Sequence, residues 1–186
     1  MLPPPDDPTD PLPIAAAKAR DIVAHHPERV VLAGDTIVVL DGLGLGKPES
    51  PAAARAMLAA LRGRRHAVRS AIALGHQGRL ESAEVTCPLL MRNYSDGEIE
   101  QYVAGGEPLD CAGAYDVHRL GGALVERVEG CFSTVVGLPI VETAQRLRAA
   151  GIPVPADPAA VCSSLYGRRC LAADPATATA CRAAAR

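Results

Sequence analysis

Apolar positions along the chain change period from segment to segment. From Pro13 onward Ile14, Ala15, Ala16, Ala17, Ala19, Ile22 and Val23 recur at helical spacing, with Lys18 and Arg20 on more polar positions and Pro13 suited to a first turn. The run Val30 to Leu40 is continuous and rich in β-branched residues, the pattern of a central strand covered on both faces. Ser50-Pro51 then offers an N-cap and a first-turn proline to an Ala/Met/Leu run that reaches Leu61 and stops at Arg62-Gly63, which predicts a second helix. Residues 65 to 75 and 79 to 92 read as two strands joined by Gly75-His76-Gln77-Gly78. Ser95-Asp96-Gly97-Glu98 is a capping box that opens a helix through Ile99 and Tyr102 to Gly105-Gly106. A further helix is predicted from about Pro139 to Ala150, closed by Gly151.

The ends lack such periods. Residues 1–12 concentrate proline and acidic side chains and predict a flexible segment, while residues 153–186 turn to Ala, Pro, Thr and Arg and read as an extension. The part between, 13–152, is long enough for one domain with a sizeable core. With five aromatic residues in 186, that core must be built from Val, Leu, Ile and Ala, which favours an α/β architecture of Val-rich strands and Ala-rich helices.

Charge narrows the partners. A net charge of −2 and a pI near 6.2 do not supply the many cations a nucleic-acid surface needs, so no nucleic acid is expected, although a small anionic ligand fits. No apolar run reaches the roughly 18 residues of a membrane span, and the Pro- and Asp-rich start is not a secretory signal, so the expectation is a cytoplasmic protein without a membrane partner. The six cysteines, Cys87, Cys111, Cys131, Cys162, Cys170 and Cys181, are widely spaced and contain no C-x-x-C pair, which reads as reduced thiols rather than a metal or redox motif.

One residue breaks the strand pattern. Asp35 sits in the middle of the Val30–Leu40 run, where a buried, unpaired carboxylate costs several kcal/mol, roughly. Asp35 is therefore either a strand-end aspartate bonded to nearby amides or a carboxylate in a cleft held by cations. Lys47, in Gly46-Lys47-Pro48 beyond the turn Asp41-Gly42, can return to the same end of the sheet, or be an ordinary solvated lysine. A carboxylate and a lysine at one strand end point to phosphate or metal chemistry.

Five motifs in order carry more: L-A-G-D-T-I-V-V-L-D-G (Leu32 to Gly42), L-G-K-P (Leu45 to Pro48), L-R-G-R-R-H-A-V (Leu61 to Val68), E-P-L-D-C-A-G-A-Y (Glu107 to Tyr115) and V-V-G-L-P-I (Val135 to Ile140). Together they resemble the Maf family of nucleoside triphosphate pyrophosphatases. The resemblance implies an elongated mixed central sheet flanked by helices, with two lobes around a cleft where a nucleoside triphosphate is split into monophosphate and pyrophosphate with Mg²⁺ or Mn²⁺. It implies Asp35 as proton acceptor, Lys18 and Lys47 as phosphate contacts, and Thr36 as a residue that helps choose the base. Candidate metal or water ligands are Asp35, Glu107 and Asp110, and a homodimer is left open. The branch of the family acting on dTTP and UTP continues G-I-Q-G after A-G-A-Y, where this chain has Asp116-Val117-His118-Arg119, so His118 replaces a base-reading glutamine with different hydrogen-bonding geometry. Asp110-Cys111-Ala112-Gly113 looks more like the branch acting on modified nucleotides.

His25, His26, His66 and His76 show no ligand spacing and read as surface or locally bonded residues, and Tyr115 reads as a packing residue with a bonded hydroxyl. Family members open with a strand and an S-x-S-P-R-R turn that grips the triphosphate, whereas this sequence starts beyond that point, which predicts an open strand edge and weaker phosphate binding. Ser163-Ser164-Leu165-Tyr166-Gly167-Arg168-Arg169 places serines ahead of an Arg-Arg pair and could substitute. The expectations are thus a nucleoside triphosphate pyrophosphatase or, alternatively, a Maf-like nucleotide-binding or interaction protein with little catalysis.

Overall fold

A computed structural model describes residues 7–173 of the chain. Its elements are α1 (Leu12–His25), β1 (Val31–Leu40), β2 (Leu43–Leu45), α2 (Pro51–Leu61), β3 (Arg65–His76), β4 (Arg79–Met91), α3 (Asp96–Ala104), β5 (Val125–Val128), α4 (Phe132–Val136), α5 (Ile140–Ala149) and α6 (Pro158–Tyr166), with short 3-10 turns between α3 and β5. The five strands form one sheet in the order β2-β1-β3-β4-β5. Helices on a sheet give the expected α/β class. The pairing is antiparallel where the resemblance implied a mixed sheet, and short turns set it for two of the pairs: Leu40 faces Leu43 across Asp41-Gly42, and Gln77-Gly78 with φ of 50° and 73° closes the β3–β4 hairpin.

The helix signals act as the sequence predicts. The Ser50 side chain accepts the Ala53 amide at the start of α2, and Ser95 and Glu98 complete both halves of the capping box on α3. Backbone and side-chain hydrogen bonds at Ser95, together with Arg92, hold the Glu98 carboxyl down at about 2.

The chain folds as two compact units. One contains residues 37–68 and 88–129 together with the described residues 7–9; the other contains 10–36, 69–87 and 130–173. In the first, α2 packs with α3, Leu58 and Leu61 are buried, and the Tyr94 hydroxyl donates to the Leu58 carbonyl at 2.6 Å. Burial raises the Tyr94 phenol to about 12.

In the second unit, Leu12, Ala15 and Ala19 of α1 lie on Val31 of β1 and Ala71 and Ala73 of β3. Small side chains let the helix come close: a Cβ at Gly75 would stand 2.4 Å from Val23 Cγ2. This phase leaves Ile14 and Ile22 about half exposed, so the apolar stripe is narrower than the residue spacing predicts. Strand β1 is not covered on both faces either, since Leu32 is 41% exposed.

The ends differ from expectation within the described residues. Asp7 accepts the Thr9 amide and hydroxyl, Asp10 accepts the Leu12 amide, and residues 9–12 are buried, so local Asx bonding orders a stretch whose composition predicts flexibility. Residues 1–6 lie outside the described residues. Beyond Gly151, α6 is capped by Asp157 and packs on α5, and Tyr166 meets Phe132 at 4.9 Å between ring centres. Ser163 to Tyr166 lie within this helix, and the Arg168 guanidinium stands 4.7 Å from the Phe132 ring centre, so the segment is a helix end rather than a replacement strand and turn. Cys87, Cys111, Cys131, Cys162 and Cys170 form no disulfide, while Cys181 falls outside the described residues.

Candidate active site

Alternation along β1 decides where Asp35 points. Val31 and Ala33 face α1, so Asp35, two residues on, shares that face. There Lys18 of α1 donates to Asp35 Oδ1 at 2.7 Å and to the Gly34 carbonyl at 3.3 Å. The Asp35 side chain keeps 20% of its surface, which resolves the anomaly of a carboxylate in an apolar strand: it is ion-paired and reachable by water. Lys18 remains 55% exposed and has one donor to spare for an incoming anion.

Thr36 points to the opposite face, where its Oγ1 lies 2.8 Å from Ser70 Oγ. Ser70 donates its single hydroxyl proton to the Thr134 carbonyl at 2.7 Å, so Thr36 is the donor to Ser70 and keeps acceptor lone pairs. Gly137, the glycine of V-V-G-L-P-I, has φ +110°, and a Cβ there would press to 3.3 Å on Thr36 Oγ1. Lys18, Asp35 and Thr36 all belong to the second unit.

The other predicted residues lie in the first unit. Lys47 makes an outlying ion pair with Asp110, 3.7 Å apart with both side chains well solvated, an interaction worth little in water. Its backbone is better held: the Gly113 amide donates to the Gly46 carbonyl at 3.0 Å. Gly113 has φ +67°, and a Cβ there would meet Val38 at 2.8 Å, so only glycine brings this loop so close to the strand. The loop is pinned again by a buried hydrogen bond of 2.6 Å between Tyr115 and His66 Nε2. Burial lowers His66 to about 4 and keeps the imidazole neutral. Of the two readings of His66, the bonded one holds and the surface one does not, while Tyr115 packs with a bonded hydroxyl as expected.

Glu107 is engaged locally. Its Oε1 accepts the Tyr102 hydroxyl at 2.8 Å and the Gly121 amide at 3.1 Å, while the Tyr102 oxygen accepts the Asp116 amide at 3.1 Å. Burial, then the adjacent Glu107, pushes the Tyr102 phenol far above its usual value. This carboxylate braces the 116–121 loop, a role inconspicuous in sequence. His118, exposed in that loop, gives its amide to Asp116 Oδ1 at 2.8 Å.

Among the described residues no three His, Cys, Asp or Glu side chains form a metal-holding group. A strongly hydrated divalent cation needs only one or two carboxylates, with water and phosphate oxygens completing its shell. The Asp35 carboxylate fits that need; Glu107, already bonded twice at one oxygen, fits it less well.

The profile of the family described as "Maf-like protein" matches residues 3–150. Proteins with the name dTTP/UTP pyrophosphatase are similar over most of the chain. That of Bordetella pertussis is 49% identical over 129 residues, 69% of this chain and 62% of its own. That of Methylobacillus flagellatus is 47% identical over 144 residues, covering 76% and 72%, and that of Anaeromyxobacter dehalogenans 48% over 149 residues, covering 76% and 73%. The chain spans about three fifths of the length of the Bordetella relatives it matches.

Proposed function

The chain belongs to the Maf-like protein family, and we propose that it is a nucleoside triphosphate pyrophosphatase, releasing a nucleoside monophosphate and pyrophosphate. The observation that carries this reading is the Lys18–Asp35 pair, a water-accessible carboxylate 2.7 Å from an ammonium on a regular strand. Hydrolysis between the α and β phosphates needs a base for the attacking water and cations against the charge that gathers on oxygen. Asp35 takes the water proton at its carboxylate. Lys18 orients that carboxylate and, with one donor left over, contacts a phosphate oxygen. Lys47 supplies a second, solvated phosphate contact from a backbone fixed at Gly46. A divalent cation held by Asp35, Mg²⁺ or Mn²⁺, would neutralise phosphate charge when bound.

Pyrimidine triphosphates with an N–H donor are the proposed substrates. The relatives' names support dTTP and UTP, and so does Thr36, whose hydroxyl proton is spent on Ser70 and whose oxygen can accept from such a base. His118 contributes from the 116–121 loop. The deciding experiment is pyrophosphate release from dTTP, UTP, the other nucleoside triphosphates and modified guanine and pyrimidine triphosphates with Mg²⁺ or Mn²⁺. The expected result is a preference for dTTP and UTP; a faster rate on a modified purine would overturn the base assignment while keeping the reaction. Binding of nucleotide with no hydrolysis of any of them would overturn the reaction.

A further inference from the structure

The hydrogen bonds behind Thr36 run in one direction only. They begin at the Thr134 carbonyl in α4, which accepts the Gly137 amide at 3.0 Å and the Ser70 hydroxyl at 2.7 Å. A carbonyl cannot donate, and two oxygens this close need a proton between them, so the single proton of Ser70 is committed to Thr134. Ser70 and Thr134 are both 0% exposed, and water does not compete for it. The Ser70 oxygen is left as an acceptor, and Thr36 Oγ1 at 2.8 Å must be the donor to it. Thr36 is the partly exposed end of this chain, and its remaining capacity is lone pairs alone. Gly137 keeps one side of that oxygen clear, since a Cβ at its φ of +110° would stand 3.3 Å from Oγ1. All four residues belong to the second unit.

We propose that Ser70 is a positioning residue for base selection: by consuming the Thr36 proton it makes Thr36 an obligate acceptor, which admits a pyrimidine with a proton on ring nitrogen 3 and rejects one with a lone pair there. The inference rests on the proposed pyrophosphatase reaction and on Thr36 meeting the base. Uracil and thymine carry that proton; cytosine does not. A threonine hydroxyl with no fixed partner rotates and donates as readily as it accepts, so by itself it separates the two bases weakly. Tied to Ser70, it sets an oxygen lone pair against the nitrogen lone pair of cytosine, and neither atom has a proton to place between them. A site built to bond an N–H rejects an analogue without it more strongly than a pocket that differs only in shape, because the polar group of the site is left unpaired. Ser70 does this without touching the substrate.

The test compares UTP with CTP by steady-state kinetics on wild type, Ser70→Ala, Thr36→Val and the double variant Thr36→Val/Ser70→Ala. Wild type should favour UTP. In Ser70→Ala the freed Thr36 hydroxyl can donate to cytosine, so the UTP-to-CTP ratio of kcat/KM should fall about tenfold, chiefly through a lower KM for CTP. Thr36→Val should lower the ratio by itself, and adding Ser70→Ala to it should change the ratio no further. A merely structural serine would slow both substrates by one factor and would not improve CTP. That result overturns the proposal, as does an equal shift of the ratio by Ser70→Ala in the Thr36→Val background, or a wild type that does not distinguish UTP from CTP. If Ser70→Ala does not fold, Ser70→Cys, whose thiol is a weak donor and acceptor, is measured instead, and a smaller fall of the ratio is expected. If wild type hydrolyses no triphosphate, the pyrophosphatase reading falls, and calorimetric affinities for UTP and CTP in the same variants decide the role of Ser70 separately. The same change of ratio then upholds it, and an unchanged ratio or no nucleotide binding overturns it.

Discussion

Among single residues, Lys18 has two tasks, since it holds the Asp35 carboxylate and keeps one donor for a phosphate. Lys18→Met is therefore expected to raise KM for triphosphate about tenfold and to lower kcat as well; steady-state kinetics checks this. Lys47→Met should act on KM alone, since its partner Asp110 is solvated and its backbone position is fixed by Gly113. The acid response of stability belongs to His66. Its folded pKa of about 4 lies below the ordinary 6.5, so the unfolded chain binds the extra proton, and stability falls as pH drops from 6.5 towards 4, by on the order of 3 kcal/mol. Urea unfolding of wild type and His66→Gln at pH 7 and pH 4.5 should show this extra acid loss in wild type only. The identity of the polar residues was legible in the sequence, and Asp35 stood out as a carboxylate in an apolar run. Their partners were not: a periodic pattern places a side chain on a face, and says nothing of Lys18 reaching Asp35 or Glu107 accepting Tyr102 and Gly121.

Among helices, strands and loops, local chemistry was legible wherever a capping residue or turn pair announces itself. Ser50, Ser95 with Glu98, and Gln77-Gly78 each start or turn an element as the side chains dictate. Replacing Ser95 by Ala should cost about 1 kcal/mol by thermal or urea unfolding, through loss of the cap on α3. Strands β2 and β5, of three and four residues, are too short to show a period and exist because long neighbours pair with them. Helix α6 was hidden in a small-residue, proline-containing composition, yet Asp157 caps it and α5 covers it. Gly113→Ala tests whether a loop positions the phosphate contact. A Cβ at +67° and 2.8 Å from Val38 should cost 1 to 3 kcal/mol, roughly, and raise KM through Lys47; a destabilised variant with wild-type KM would separate the loop from the substrate.

For the molecule as a whole, the order of five motifs carried the reading further than any composition could, and membership of the Maf-like family agrees with it. Composition did place the chain in the α/β class, because so few aromatic residues leave only aliphatic strands and alanine-rich helices to make a core. It could not supply the antiparallel register, which depends in part on turns, nor the division into two compact units, whose boundaries fall within β1, β3 and β4. No helix among the described residues is long and apolar enough to cross a membrane. Everything proposed for the reaction depends on Asp35 taking the proton from the water that splits a nucleoside triphosphate. The rate at which UTP becomes UMP and pyrophosphate, followed by phosphorus NMR, tests this in wild type and in Asp35→Asn, a variant that keeps the shape and removes the base. Wild type should yield equal amounts of UMP and pyrophosphate, and the variant, with its fold intact, a rate lower by 10² to 10⁴, roughly; equal rates in the two proteins would contradict the role of Asp35 as the base.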